Sequence, residues 1–197
     1  LKIAYLEKAA NYNEIEKLFS LIPEDDLNDD LLNKYITSKL INGDYKSICR
    51  LDSQISEGKF KLEINSFCKA MSNNLPALDL MISLLIEEDI ADKDLLYIYY
   101  SYINQTEIDL KRIKNLDIKK INLISNLGID FSEYIDENSP LELQLFFIYS
   151  KLKVEDKKVV LAENLLSTST LESIVLGDLY KQHFTGSNLN TSVDYLN

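Results

Sequence analysis

The chain has 197 residues, of which 46% are hydrophobic and 27% are charged, so its composition is that of a globular protein rather than a disordered or fibrous one. Lys and Arg number 21 against 32 Asp and Glu, and the resulting net charge of −11 disfavours binding to the phosphate backbone of a nucleic acid. Five Gly and three Pro are too few for a typical all-β fold or for a glycine-rich loop that cradles phosphate.

Apolar residues recur at the helical spacing i, i+3, i+4 and i+7 through most of the chain, while strand-like alternation is scarce. The first residues, from Leu1, already have the pattern of a helix interior, so we expect a piece of a longer or processed protein. The pattern predicts helices near 1–9, 12–22, 29–42, 44–55, 60–72, 75–88, 92–104, 117–127, 140–152, 155–167 and 170–183. No apolar run reaches the ~20 residues of a membrane-spanning helix, so no membrane span is expected.

Two predicted helices have a sequence typical of a capped start. Ser139 stands before Pro140 and three residues before Glu142, which predicts a capping box with proline at the first helical position. Ser169 and Glu172 repeat the arrangement without proline.

Three further residues predict helix ends. Asp92 is expected to cap the tyrosine-rich helix that follows it. Gly43 and Gly128 stand where helices should stop, because glycine adopts the left-handed conformation without steric cost.

The informative feature of the first half is an internal repeat with a period of about 30 residues. Three apolar triplets, each with spacing i, i+3, i+6, follow a short turn: Tyr12, Ile15 and Leu18; Tyr45, Ile48 and Leu51; Leu75, Leu78 and Met81. Helix pairs that recur at this period are typical of stacked helical hairpins, in which neighbouring pairs cover each other's apolar faces. The repeat therefore predicts an all-α fold of stacked antiparallel helical hairpins that form a short, irregular α-solenoid.

At Gly43-Asp44-Tyr45-Lys46-Ser47-Ile48 the chain resembles the tetratricopeptide family, and Ala10-Asn11-Tyr12-Asn13-Glu14-Ile15 is similar to a degenerate copy of the same turn. The resemblance covers residues 1–88. The arrangement is similar to that of degenerate helical-repeat proteins of bacterial envelopes, and this resemblance implies a role in scaffolding or partner binding.

The repeat weakens after residue 104, and this divides the chain. We expect tetratricopeptide-like hairpins over 1–104, an irregular connection over 105–117, further helices packed on the solenoid over 118–184, and a polar tail over 185–197. The segment Leu141–Tyr149 is apolar on nearly every face, which predicts a central helix packed on both sides.

The two cysteines, Cys49 and Cys68, fall on consecutive predicted helices at nearly the same distance from the turn between them. At 1.5 Å per residue they lie at levels that differ by only ~4–5 Å, so a disulfide is geometrically allowed. Two alternatives stay open: a disulfide, which indicates an oxidising compartment such as a periplasm, or two buried free thiols.

No catalytic residue, cofactor site or metal site is predicted. The only histidine, His183, is expected on the surface near the end of the last helix. The acidic segment Asp26–Asp30 lacks the glycine and glutamate of a calcium loop, because Leu31 and Thr37 stand there. The run Glu87-Glu88-Asp89 is expected on a solvated face.

One predicted helix carries four tyrosines, Tyr97, Tyr99, Tyr100 and Tyr102. At 100° per residue they cannot all face one core, so some of them lie at the rim of the fold or at a contact surface. Two interpretations stay open: amphipathic packing with hydroxyls in water, or a face that binds a partner.

Together these features predict a non-catalytic scaffold or adaptor that presents an acidic surface to a protein partner in the bacterial envelope, with the tyrosine helix among its contacts. The predicted location is the periplasm, with the cytoplasm as the alternative. The alternative function is the superhelical, non-catalytic domain of a larger cell-wall enzyme such as a lytic transglycosylase. A third hypothesis is an assembly chaperone, which requires a deep apolar groove.

Overall fold

The computed structural model describes residues 3, 6, 12–23, 28–51, 55, 57–90, 92–167, 171 and 173–184. Over these residues the protein is helical and has no β-strand, so the predicted all-α class is confirmed. The α-helices are α1 (Tyr12–Phe19), α2 (Asp29–Ile41), α3 (Tyr45–Ile48), α4 (Lys59–Met71), α5 (Leu75–Glu87), α6 (Lys93–Asn104), α7 (Ile118–Asn126), α8 (Leu141–Tyr149), α9 (Glu155–Ser167) and α10 (Ser173–Phe184). Two short 3₁₀ helices, Leu110–Arg112 and Ser132–Tyr134, lie on either side of α7.

The predicted helix over 44–55 is too long. Helix α3 ends at Ile48, and the amide of Cys49 donates to the carbonyl of Tyr45 at 3.0 Å. The next amide, of Arg50, instead donates to Ser47 only three residues back, so the last turn tightens and the α-helix stops. The predicted helix over 1–9 and the tail over 185–197 lie outside the described residues, apart from the helical positions Ile3 and Leu6.

Helices α2 and α4 end in the same turn, thirty residues apart. After α2, Gly43 has a φ of 68°, and the amide of Asp44 donates to the carbonyl of Lys39 at 2.9 Å. After α4, Asn73 takes the place of the glycine with a φ of 54°, and the amide of Asn74 donates to Lys69 at 2.9 Å. The 6→1 hydrogen bond is that of the Schellman motif, so the sequence repeat has a local structural counterpart.

A residue in the left-handed conformation also follows each of α5, α6 and α7, and after α5 and α6 it is not a glycine but Asp89 and Gln105. Gly128 follows α7 with a φ of 72°, as predicted, whereas Gln105 caps α6 with a φ of 52°. A residue with a β-carbon is disfavoured in this conformation by roughly 1 kcal/mol relative to glycine.

We therefore expect Gln105→Gly to raise the free energy of unfolding by roughly 1 kcal/mol, since the glycine removes the steric strain of the cap. Urea denaturation followed by circular dichroism measures the change. The control is Asn104→Gly, one position earlier inside the last turn of α6, where glycine should destabilise. Equal destabilisation by both substitutions would contradict the assignment.

The predicted capping box at α8 is wrong. Pro140 is itself the N-cap, with an extended ψ of 141°, and α8 begins at Leu141 without a side-chain cap. The hydroxyl of Ser139 is used instead by the preceding turn, where it accepts from the Asp136 amide at 3.0 Å. The Gln144 side chain binds the Ser139 carbonyl at 2.7 Å and holds the turn against the helix. The second predicted box, at Ser169 and Glu172, lies outside the described residues.

Helices α7 and α8 form the centre of the described part of the chain. Helix α7 contacts α2, α4, α6 and α8, while α8 contacts α2, α7 and α9. The residues Leu143 to Ile148 are all buried, as the apolar sequence of α8 predicts. The Asn122 side chain of α7 is also buried and donates to the Leu40 carbonyl of α2 at 3.1 Å.

These contacts bear on the solenoid prediction. In a linear stack each helix pair contacts only its sequence neighbours, whereas α2 also packs against α7 and α8, some eighty to one hundred residues later in the chain. The solenoid arrangement stays a prediction, and the second half of the chain packs back on the first.

Candidate functional site

Two of the four tyrosines of α6 belong to the core. Tyr99 is 1% exposed and Tyr102 is 4% exposed. The Tyr102 hydroxyl donates to the Leu123 carbonyl at 2.6 Å and accepts from the Asn126 side chain at 3.3 Å. Burial raises the pKa of Tyr102 to about 12, so the phenol keeps its proton at an alkaline pH at which an exposed tyrosine ionises. Both side chains are enclosed by the protein itself, so Tyr99 and Tyr102 offer little surface to a partner in this fold.

The other two tyrosines lie at the surface of α6. The Tyr97 hydroxyl accepts from the Asp109 amide at 2.9 Å, and the Arg112 guanidinium lies 4.6 Å from the centre of its ring. Tyr97 therefore anchors the connection over 105–117 to α6. Tyr100 is 43% exposed, so it is the tyrosine of this helix with a large area available for contact.

Helix α5 has an exposed outer face with two large apolar side chains. Leu80 is 58% exposed and Ile86 is 51% exposed, while Leu78, Ile82 and Leu85 on the opposite side are buried. The helical angles place Asp79, Ser83 and Glu87, all exposed, between the two apolar residues. We call the set Asp79, Leu80, Ser83, Ile86 and Glu87 the α5 outer face.

Cys49 and Cys68 are joined by a disulfide in the structure, with their Cα atoms 5.6 Å apart. The bond connects the turn after α3 to α4. Both cysteines are half-buried and line a surface cleft.

The cleft beside the disulfide is basic. It has a volume of about 530 Å³ and is lined by Lys46 and Arg50 on one side, Lys69 on the other, and by Tyr45, Cys49, Asn65, Cys68 and Ser72. No described residue that lines it is acidic. We call it the basic cleft. Its positive character contrasts with the net charge of −11 of the whole chain.

A second cleft, of about 420 Å³, adjoins the basic cleft at Tyr45. Its walls come from the ends of α2, α4, α7 and α8, with the aromatic rings of Phe146 and Tyr149 and the side chain of Lys151 at its edge. Helix C-termini carry partial negative charge, which a hydrogen-bond donor complements. We call it the helix-end cleft.

A buried lysine joins α6 to α7. The side chain of Lys120 is 3% exposed, and its ammonium contacts Asp92 at 2.6 Å, Asp117 at 3.3 Å and the Asn115 carbonyl at 2.8 Å. Asp92 also accepts from the Leu95 amide at 2.6 Å and so caps α6 as predicted. Burial opposes the shift, but the Lys120 and Leu95 hydrogen bonds lower the pKa of Asp92 below its ordinary 3.8.

The remaining residues singled out in the sequence are not brought together. Glu87, Glu88 and Asp89 are exposed, and His183 belongs to α10. Of the acidic segment, Asn28 caps α2 and Asp29 and Asp30 lie in its first turn, whereas Asp26 and Leu27 lie outside the described residues. Within the described ranges no group of three or more His, Cys, Asp or Glu is placed to hold a metal ion. None of the described helices has the length and apolar character required to cross a bilayer.

No protein-family model matches the sequence, and the searches of curated proteins and of solved structures find no significant similarity.

The basic cleft is the feature that the sequence interpretation missed. The signal is present in the sequence, since Arg50 and Lys69 each follow a cysteine directly. When Cys49 and Cys68 form the disulfide, Arg50 and Lys69 line the same cleft.

Proposed function

We propose that this chain is a non-catalytic module for protein–protein interaction, and that the α5 outer face with its exposed leucine and isoleucine is its contact surface. The observation that carries the proposal is the 58% exposure of Leu80 and the 51% exposure of Ile86 on one helix. Covering the exposed half of such a side chain with a partner contributes roughly 1 kcal/mol. Tyr100 on the adjacent α6 adds an exposed aromatic ring of the kind enriched at interfaces.

The charge of the surface supports a basic partner. Asp79 and Glu87 lie between the two apolar side chains, and Glu88 and Asp89 follow at the end of α5. Opposite charge on a partner would speed association and make its rate fall with added salt. We propose an amphipathic helix whose apolar stripe is flanked by lysine or arginine as the matching shape.

The proposal also covers the arrangement of the helices and the compartment in which the protein is located. We propose tetratricopeptide-like hairpins that stack in a short solenoid, because the same turn recurs at Gly43 and Asn73. The Cys49–Cys68 disulfide supports an oxidising compartment, for which we propose the bacterial periplasm.

Affinity capture from an extract of the source cells tests the proposed contact. We compare the unmodified chain with Leu80→Glu and with Val160→Glu, since Val160 is exposed to a similar extent, 54%, but lies on α9. We expect a protein that the unmodified chain and Val160→Glu retain, that added salt releases, and that Leu80→Glu loses by about tenfold or more.

Two results would reject the proposal. One is equal recovery of every captured protein by all three chains, because the α5 outer face would then not be the contact. The other is turnover of a substrate by the chain alone.

A further inference from the structure

We propose that the basic cleft binds a phosphate monoester group. The disulfide fixes its two walls, because it holds the backbones of Cys49 and Cys68 with their Cα atoms 5.6 Å apart. Arg50 and Lys69 are the residues that follow these cysteines, and Lys46 lies one helical turn before Cys49. Three cationic side chains from two segments of the chain thus line one cleft.

Several lysines elsewhere in the fold are paired with a carboxylate, whereas the three cations of the basic cleft are not paired with one in the described part of the chain. Lys39 pairs with Glu16 at 2.6 Å, Lys120 pairs with Asp92 at 2.6 Å, and Lys119 contacts Glu63. In contrast, none of the three cations of the basic cleft has an ion-pair partner among the described residues. Acidic residues outnumber basic ones 32 to 21 in this chain, so the absence of a carboxylate from the described lining is unusual.

The basic cleft offers an anion three cations and no competing carboxylate among its described lining residues. Like charges placed close together repel each other, and no charge of opposite sign from the described lining offsets this repulsion. A bound anion would relieve it. The side chains of Asn65 and Tyr45 line the same cleft and offer neutral hydrogen-bond donors.

The three cations of the basic cleft favour a phosphate monoester over other anions. A phosphate monoester carries a charge of about −1.5 to −2 at neutral pH and has three strong acceptor oxygens, which match three cations. The Arg50 guanidinium has the planar fork that binds two phosphate oxygens at once. A single carboxylate would leave most of the positive charge uncompensated. A nucleic acid would bring further phosphates against a chain of net charge −11.

Titration at low ionic strength tests the proposal. The probes are inorganic phosphate and glycerol phosphate, with sodium chloride of matched ionic strength as the reference, and binding is followed by calorimetry and by the backbone amide signals of Arg50 and Lys69. We expect saturable binding of both probes. Replacing Arg50 and Lys69 with glutamine should weaken it about tenfold or more, because two charge-assisted contacts are lost.

A matched control separates the cleft from general charge effects. Lys111→Gln removes a positive charge from the exposed 3₁₀ helix Leu110–Arg112, which does not line the cleft, and it should leave the affinity within about twofold, as a distant rim charge does. Circular dichroism of every variant confirms that it is folded. Equal weakening by Lys111→Gln, or no saturable binding beyond that of chloride, would overturn the proposal.

Vesicle binding identifies the source of the phosphate group. Its outcome does not depend on the contact proposed for the α5 outer face. Vesicles of phosphatidylcholine with phosphatidic acid are compared with vesicles of phosphatidylcholine alone. Binding of the acidic vesicles that is lost in the Arg50 and Lys69 variant assigns the site to a lipid phosphate, whereas binding of soluble phosphate alone assigns it to a soluble monoester. Leu80→Glu should change neither result, so failure of the proposed protein contact leaves this proposal standing.

Discussion

Replacing Lys120 with alanine is expected to lower the free energy of unfolding by about 2 kcal/mol, because it removes the hydrogen bonds of a buried ammonium to two half-exposed carboxylates and a backbone carbonyl. Lys120 is 2% exposed as a whole residue and holds Asp92 and Asp117 together. The loss would weaken the contact between α6 and α7. Urea denaturation followed by circular dichroism measures it.

The control for this prediction is Lys111→Ala, which removes a lysine from the exposed 3₁₀ helix. A surface substitution of this kind should change the free energy of unfolding by no more than about 0.5 kcal/mol. A small change in both variants would show that the Lys120 cluster contributes little.

Lys120→Ala is also expected to change how the free energy of unfolding depends on acid pH, and the direction of this change follows from the pKa of Asp92. Its pKa is below 3.8 in the folded protein, so its contribution is fully present above the unfolded value and is lost as the pH falls through the lowered pKa. Without Lys120 the folded pKa should move back toward 3.8. The acid-dependent loss of stability between these two values should therefore be smaller in Lys120→Ala than in the unmodified chain.

Removing the disulfide is expected to destabilise the protein by about 3 kcal/mol. The bond closes a loop with a sequence separation of 19 residues, and the loss of this constraint increases the conformational entropy of the unfolded chain. The double variant Cys49→Ser, Cys68→Ser, compared with the unmodified chain in denaturant, measures the effect.

Reduction provides the matching control. A reducing agent should lower the stability of the unmodified chain by a similar amount and should leave the double variant unchanged. If two thiols of the native, unreduced protein react with an alkylating reagent, Cys49 and Cys68 are not bridged in solution.

The helices could be predicted well because their determinants are local. Asp92, Gly43 and Gly128 act within a few residues of their own position, through a side-chain cap or a left-handed turn. The same local logic failed at Ser139, where the hydroxyl has a competing partner in Asp136 that the capping pattern ignores.

The surfaces could not be predicted to the same extent because they depend on contacts between distant residues. Tyr99 and Tyr102 are buried because α7 packs over α6, and Tyr102 binds the carbonyl of Leu123, twenty-one residues later. Tyr99 and Tyr102 are three residues apart and share the side of α6 that carries Leu95. Tyr100 shares a second apolar side with Leu96 and Ile103, so the spacing alone does not decide which side is buried. The basic cleft likewise requires Arg50 and Lys69 to meet across the disulfide.

The central position of α7 determines how the chain tolerates being shortened. Ile121 and Ile124 are fully enclosed, and Asn122 ties their helix to α2. A fragment that stops at Asn104 would expose the sides of α2, α4 and α6 that α7 covers. Such fragments should aggregate or require a solubilising fusion, so binding measurements on the N-terminal helices are best made with the chain intact.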